Sequence, residues 1–242
     1  MTALLEVSNL SCAFGALKAV DEVSFSVREG ELLGLIGPNG AGKSTVYNLI
    51  AGAIKPTSGR IVYKGRVITG WKPFEAARSG VARTFQIPKP YGLLSVIDNV
   101  ALSALLHDVT VAAARETAEA VITDVGLADV MEAPVSILTV GQLKRLEVAR
   151  ALALRPNLIL FDEIMAGLTR PEVMSMTELV ASLPSRGMTV VWVEHVLYAI
   201  MQAAPRIMVL DRGRVLADGI PEEVARDPAV IKAYLGEEMS LA

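Results

Sequence analysis

The chain has 242 residues, 52% of them hydrophobic, which is enough to bury a large core in one large or two closely joined domains and excludes a disordered chain. Its 23 basic and 26 acidic residues give a net charge of −3, so no surplus of positive charge marks a nucleic-acid footprint. A single cysteine, Cys12, excludes an internal disulfide and a cysteine-built metal site and fits a reducing cytosol. Residues 4–7 and 20–27 read as strands, the second alternating polar and apolar in Ser24-Phe25-Ser26-Val27, so the chain opens in an antiparallel manner. Between them Phe14 stands beside Gly15, either as a core plug or as a platform for a purine ring; an aromatic at a turn favours the core. Arg28-Glu29-Gly30-Glu31 then turns into the apolar run 31–36, short enough for a buried parallel strand.

That strand delivers Gly37-Pro38-Asn39-Gly40-Ala41-Gly42-Lys43-Ser44-Thr45, which fits G-x-x-x-x-G-K-[ST] and precedes a helix predicted over 44–53 with Leu49 and Ile50. Strand, loop and helix together are the context of a nucleotide phosphate site, which a glycine-rich turn that binds nothing would not need. Glycines let the backbone curl until its N–H groups point at phosphate oxygens, and the helix aims its positive end there. Lys43 adds charge for the β- and γ-phosphates, and Ser44 offers a hydroxyl to Mg²⁺, a hard cation that prefers oxygen.

Turn chemistry at 55–60 leads to a hairpin from strands at 60–63 and near Val67-Ile68, followed by a short helix at 75–79 and a strand-like run at 80–86. Ile87-Pro88-Lys89-Pro90-Tyr91-Gly92 forbids continued strand or helix and marks a hinge. Helical periodicity then takes over at 98–106, 111–125 and 141–154, so 88–155 reads as a helical subdomain inserted into an α/β core made of 1–87 and 156–242. The core resumes with strand 158–161 ending in Asp162-Glu163, a helix at 171–183, strand 189–193 ending in Glu194-His195, and a hairpin of 207–210 and 215–217. A tail from Pro221 reads as amphipathic helix broken at Asp227-Pro228. The N-terminus shows no basic patch before a long apolar run, and no 18 apolar residues occur in succession. Neither a signal peptide nor a membrane span is expected, and any work at a membrane calls for a partner that supplies the spans.

In open parallel sheets ligands sit at the carboxyl ends of strands, where this chain puts the phosphate loop, Asp162-Glu163 and His195. Asp162 is the expected partner of Mg²⁺, and Glu163 is placed to take a proton from a water attacking the γ-phosphate. Either acid alone would read as a helix cap or a solvated charge. His195 alone would read as structural, although its place beside Glu194 at a buried strand end raises it. Gln86 can reach Mg²⁺ or the attacking water from a movable segment, or can simply face solvent.

The ordered set of motifs resembles the ATP-binding subunits of ABC transporters over nearly the whole chain. It runs through an aromatic adenine platform (Phe14), the Walker A loop (37–45), the Q-loop (Gln86), a signature motif (Leu138, Thr139, Val140, Gly141, Gln142), Walker B (158–163), a D-loop (166–169) and the switch histidine (His195). The resemblance implies a P-loop NTPase (RecA-like) core with an N-terminal antiparallel β subdomain and an inserted helical subdomain, ATP and Mg²⁺ as ligands, and Phe14 stacking on adenine with Val20 at the sugar or base. It further implies a head-to-tail dimer with a second ATPase subunit, identical or different, in which Thr139 and Gly141 meet the γ-phosphate of the partner's ATP. The sequence departs from the family at Thr139 for serine, Val140 for glycine, Ile164 for proline and Thr169 for aspartate, all near that interface. Residues 80–86 and the tail 219–237 look like the ATPases of branched-chain amino acid importers. That membership implies transmembrane permease subunits, an indirect periplasmic or extracellular solute-binding protein, and a place at the cytoplasmic face of the inner membrane. The ending Tyr234-Leu235-Gly236-Glu237 is also similar to a lipopolysaccharide-export ATPase, and a soluble iron–sulfur cluster assembly ATPase is the rival from another class. A DNA-repair ATPase of the family would carry long coiled-coil insertions that this chain lacks.

Overall fold

The computed structural model describes residues 3–238. The N-terminal reading at Met1 and Thr2 lies outside the described residues, as do the side chains at 235–237 of the tail resemblance. β1 (Ala3–Phe14) and β2 (Leu17–Arg28) pair antiparallel, and β1 in particular runs well past the predicted 4–7. Asn9 and Glu22 take positive φ, 47° and 56°, near register shifts that let both strands run on. β3 (Leu32–Ile36) follows, fully buried, and its loop opens into α1 (Lys43–Ile50). That helix stops three residues short of the predicted end because Gly52 turns to φ 71° close against the Trp71 main chain. β4 (Ser58–Tyr63) and β5 (Arg66–Val67) complete a four-stranded antiparallel sheet in the order β2-β1-β4-β5.

α2 (Pro73–Arg78) leads into β6 (Val81–Arg83), which is shorter than the predicted run at 80–86. Thr84 keeps one ladder bond, its N–H donating to the Leu160 carbonyl at 3.0 Å, and residues 85–90 then carry neither strand nor helix. From 88 to 155 the described residues hold helices and one isolated bridge, Ser95 with Pro134. The longer helices are α3 (Val96–Ala104), α4 (Val111–Asp124) and α5 (Val140–Ala153). Each begins at a serine or threonine, Ser95, Thr110 or Thr139, whose hydroxyl accepts the N–H three residues on and so satisfies one of the donors a helix start leaves open.

β7 (Leu158–Asp162), α6 (Arg170–Ser182), β8 (Thr189–Val193), α7 (Leu197–Ala203), β9 (Arg206–Asp211) and β10 (Arg214–Gly219) return the chain to the α/β core. α7 falls in a stretch the sequence reading left without a helix. α8 (Pro221–Val224) and α9 (Pro228–Glu238) form the tail, broken near Asp227 as predicted. The second sheet has six strands in the order β10-β9-β3-β8-β7-β6, parallel except for β10. β3, β7 and β8 are apolar and buried on both faces, as helix-covered parallel strands must be. Alternate residues divide between two cores: Leu33, Leu35, Leu160, Val191 and Val193 pack toward α1 and the antiparallel sheet. Ile159, Phe161, Val190 and Trp192 pack toward the helical layer. β3, β8 and β7 are neighbours, so their carboxyl ends open onto one edge.

Candidate nucleotide-binding and hydrolysis site

The loop after β3 is shaped by close main-chain approach. A Cβ at Gly37 would lie 2.1 Å from the Leu210 carbonyl oxygen, and one at Gly42 would lie 2.4 Å from that of Ala19, with φ at 148° and 101°. Only glycine fits both places. Gly42 is also the residue that caps α1, so the loop delivers its N–H groups at a helix N-terminus. Lys43 is buried and bends back over the loop, its ammonium 2.6 Å from the Gly37 carbonyl and 2.9 Å from that of Pro38. Ser44 beside it is exposed. The loop forms one wall of a cleft of about 370 Å³, whose lining includes Phe14, Leu17, Ala19, Asn39, Glu163 and His195.

Two readings of the sequence are thereby corrected. Phe14 is 53% exposed at the end of β1 and lines the cleft, so it is not a core plug. Val20 is wholly buried in the core, so it cannot reach a sugar or base; Leu17 and Ala19, on the opposite face of β2, line the cleft instead.

Across the cleft, Gln86, Glu163 and His195 converge on one carboxylate. His195 Nε2 is 2.5 Å from Glu163 Oε1, while the Gln86 side-chain amide donates to Glu163 Oε2. Gln86 therefore does not simply face solvent. Glu163 is held in the left-handed region at φ 48°, its N–H donating to the Val193 carbonyl at 2.9 Å. Asp162, one residue earlier, is buried, and its Oδ1 finds no hydrogen-bond partner. Burial, with the Glu163 charge beside it, raises the Asp162 carboxyl to about 6. A buried carboxylate oxygen left open beside a phosphate loop fits a cation, and the described residues contain no cluster of three or more acidic, histidine or cysteine ligands. That sparse donor set suits Mg²⁺, which keeps several waters and takes phosphate oxygens, and does not suit an all-protein cage.

The signature residues do not line this cleft. Thr139 caps α5 reciprocally with Gln142: its hydroxyl accepts the Gln142 N–H at 3.2 Å, and the Gln142 side-chain oxygen accepts the Thr139 N–H at 2.9 Å. Leu138 is buried, Val140 is exposed at the first helical position, and Gly141 is so close to Glu172 that a Cβ would lie 2.2 Å from its carboxylate oxygen. Glu172 in turn accepts the Thr169 N–H at 2.8 Å and its hydroxyl at 2.7 Å, which ties Thr169, the residue before α6, to the first turn of that helix.

Two functional candidates escaped the sequence reading. Glu194 is 1% exposed; its Oε1 accepts the Met165 N–H at 2.8 Å and its Oε2 the His195 N–H at 3.1 Å, and burial raises it to about 7. The signal was its place just after five buried residues of β8. Lys144 is 3% exposed on α5, and the signal was its spacing from the inward-facing Glu147, Val148 and Ala151.

Residues 20–166 match the family described as "ABC transporter". The chain belongs to the ABC transporter family. Within it, residues 214–239 match the family "Branched-chain amino acid ATP-binding cassette transporter". The cassette is 38% identical to the high-affinity branched-chain amino acid transport ATP-binding protein LivG of Salmonella typhimurium, across 97% of this chain and 98% of that one. It is 37% identical to BraF of Pseudomonas aeruginosa, a protein of the same description, with the same shares covered. Its fold superposes with a TM-score of 0.88 on the ADP conformation of an ATP-binding cassette of an ABC transporter, at 29% identity, across 98% of this chain and all of the other. The cassette is thus a nucleotide-binding ATPase, hydrolysis being the general activity of its family.

Proposed function

We propose that the cassette energises the uptake of branched-chain amino acids, or of a related small polar solute, by hydrolysing ATP with Mg²⁺ between two ATPase subunits docked on membrane-spanning permease subunits at the cytoplasmic face. The observation that carries the hydrolytic part is the convergence of Gln86 and His195 on the Glu163 carboxylate at the cleft. The match of residues 214–239 favours amino-acid import over a lipopolysaccharide-export or iron–sulfur assembly ATPase.

The loop's N–H groups and Lys43 hold the phosphates, and the exposed Phe14 offers its ring to adenine. Ser44 and Asp162, joined by Gln86, are the residues that would hold Mg²⁺, which when bound neutralises charge on the phosphate oxygens. Glu163 accepts a proton from the water whose oxygen attacks the γ-phosphorus as the bond to ADP breaks. His195 fixes that carboxylate from one side, and Gln86 has to release it from the other before it can take the proton.

The second half of the site comes from the N-terminus of α5 in another subunit. Residues 88–155 move as a helical subdomain about the 87–92 hinge, and 87–100 with the groove between α2, α3 and α5 contacts the permease. Glu163→Gln should retain ATP binding while hydrolysis falls about 10²–10⁴-fold, the usual contribution of a general base. Wild-type turnover in that variant would remove Glu163 from the mechanism. Size-exclusion of the same variant with ATP tests the partner: a stable homodimer counts against an obligatory pairing with a different subunit. Uptake of labelled leucine into vesicles holding the assembled transporter tests the solute, and transport of some other solute alone would overturn that assignment.

A further inference from the structure

Lys144 sits three residues beyond Gly141, one turn into α5, yet its side chain is buried. Its ammonium lies 2.5 Å from the Gln86 carbonyl oxygen and 3.1 Å from the Glu163 carbonyl oxygen. We propose that Lys144 is a positioning residue that fastens the signature helix to both hydrolytic loops through the main-chain carbonyls of Gln86 and Glu163. The inference rests on the reading of Gln86 and Glu163 given above and adds the part that holds them.

A buried ammonium needs strong compensation: burial pulls the Lys144 pKa down, and the charges of Glu194, Glu163, Asp162 and Glu147 oppose that pull only in part. Its bonds to two main-chain carbonyls nevertheless join segments that are distant in sequence. The side chains of those two residues also meet, Gln86 donating to Glu163. The contacts close a ring from α5 through Lys144 to the Gln86 backbone, across the two side chains, and back through the Glu163 backbone to Lys144. Glu163 needs such support, since φ 48° puts a non-glycine residue in the disfavoured left-handed region. Its N–H is held by the Val193 carbonyl and its carbonyl by Lys144, so the strained unit is fixed at both ends. Lys144 rides on the helix that begins with Thr139, Val140 and Gly141. A shift of that helix when a neighbouring subunit's nucleotide engages it is therefore passed to Gln86 and Glu163 through a rigid link.

Lys144→Met keeps the chain's reach and removes the donor. Its kcat should fall at least tenfold while KM for ATP stays within threefold, because the phosphate loop is untouched. In the nucleotide-free protein, amide exchange should quicken at residues 84–91 and 162–164, the two segments that Lys144 holds, and stay unchanged elsewhere in the core. A kcat within twofold of the wild type overturns the proposal, and so does a parallel loss of ATP affinity or faster exchange throughout the core, which would mark a general packing role. Should the methionine variant lose its cooperative melt, Lys144→Leu, which also lacks a donor, is judged by the same criteria. Glu163→Gln is assayed alongside. If that control hydrolyses ATP normally, the reading of the site has failed, and the exchange measurement alone decides whether Lys144 tethers the Gln86 loop.

Discussion

At the residue scale the site depends on groups held in states they would not choose in water. Glu194 is the clearest, a carboxyl buried at the end of β8 and raised to about 7 from its ordinary 4.5. The folded protein binds its proton more tightly than the unfolded chain does. Its contribution to stability is therefore complete below about 4.5 and is lost as pH rises through about 7. Glu194→Gln stays neutral throughout and should not share that loss. It also presents an amide N–H₂ where the Met165 or His195 N–H now finds an oxygen, so at pH 5 it should be the less stable protein by about 1–3 kcal/mol. Between pH 5 and 8.5 the gap should close by about 2 kcal/mol, read from urea midpoints of both proteins at each pH. Parallel curves would show that Glu194 does not titrate in this range.

At the scale of elements, α5 carries the chemistry that its first turn can offer. Thr139→Ala removes the side-chain half of the cap shared with Gln142 and should cost about 1 kcal/mol. For a protein of this size that corresponds to roughly 2–4 °C in Tm, with Thr139→Ser restoring it. An unchanged melting temperature in the alanine variant would mean the cap does not hold the helix start. How much of the fold can be read beforehand also varies by element. β3, β7 and β8 announce themselves as short apolar runs between turns, and the helices of 88–155 as periodic runs opened by serine or threonine. Val20, placed at the sugar or base by the resemblance, is different: the bulge at Glu22 shifts the alternation of β2 by one and turns Val20 into the core. α7 has no capping side chain and is short; it forms because Ile200 and Ala204 pack against Gly34 of β3, a contact no local pattern displays. Within the site, the phosphate loop, Asp162, Glu163 and His195 were legible because motif and strand end coincide. Lys144 and Glu194 were not, since a charged residue enters a core only through partners that the fold brings from elsewhere.

At the scale of the whole molecule, the hinge segment hangs from the helical layer. The Lys89 N–H donates to Glu147 at 3.1 Å, Arg150 donates to the Lys89 carbonyl at 2.9 Å, and the Tyr91 N–H donates to Asn99 at 2.7 Å. Whatever displaces α3 and α5 must carry residues 89–91 with it. Beyond them Leu93 is fully exposed and Leu94 half-buried, with Ile87 and Tyr91 also open to solvent beside a groove lined by Phe74, Phe85 and Arg150. Such apolar exposure is what the proposed docking surface for a permease segment requires. Because Leu93 contacts solvent alone, Leu93→Asp should change stability by less than about 0.5 kcal/mol, the usual range for surface substitutions. Basal hydrolysis by the isolated cassette should be unaffected, since no phosphate-loop or Glu163 contact is touched. Uptake by the assembled transporter should collapse, because a carboxylate would then be buried without a partner at the interface. The decisive comparison is ATP consumed per solute transported: if the ratio stays at the wild-type value, or if ATP binding is lost instead, the surface at 87–100 does not couple hydrolysis to the membrane partner.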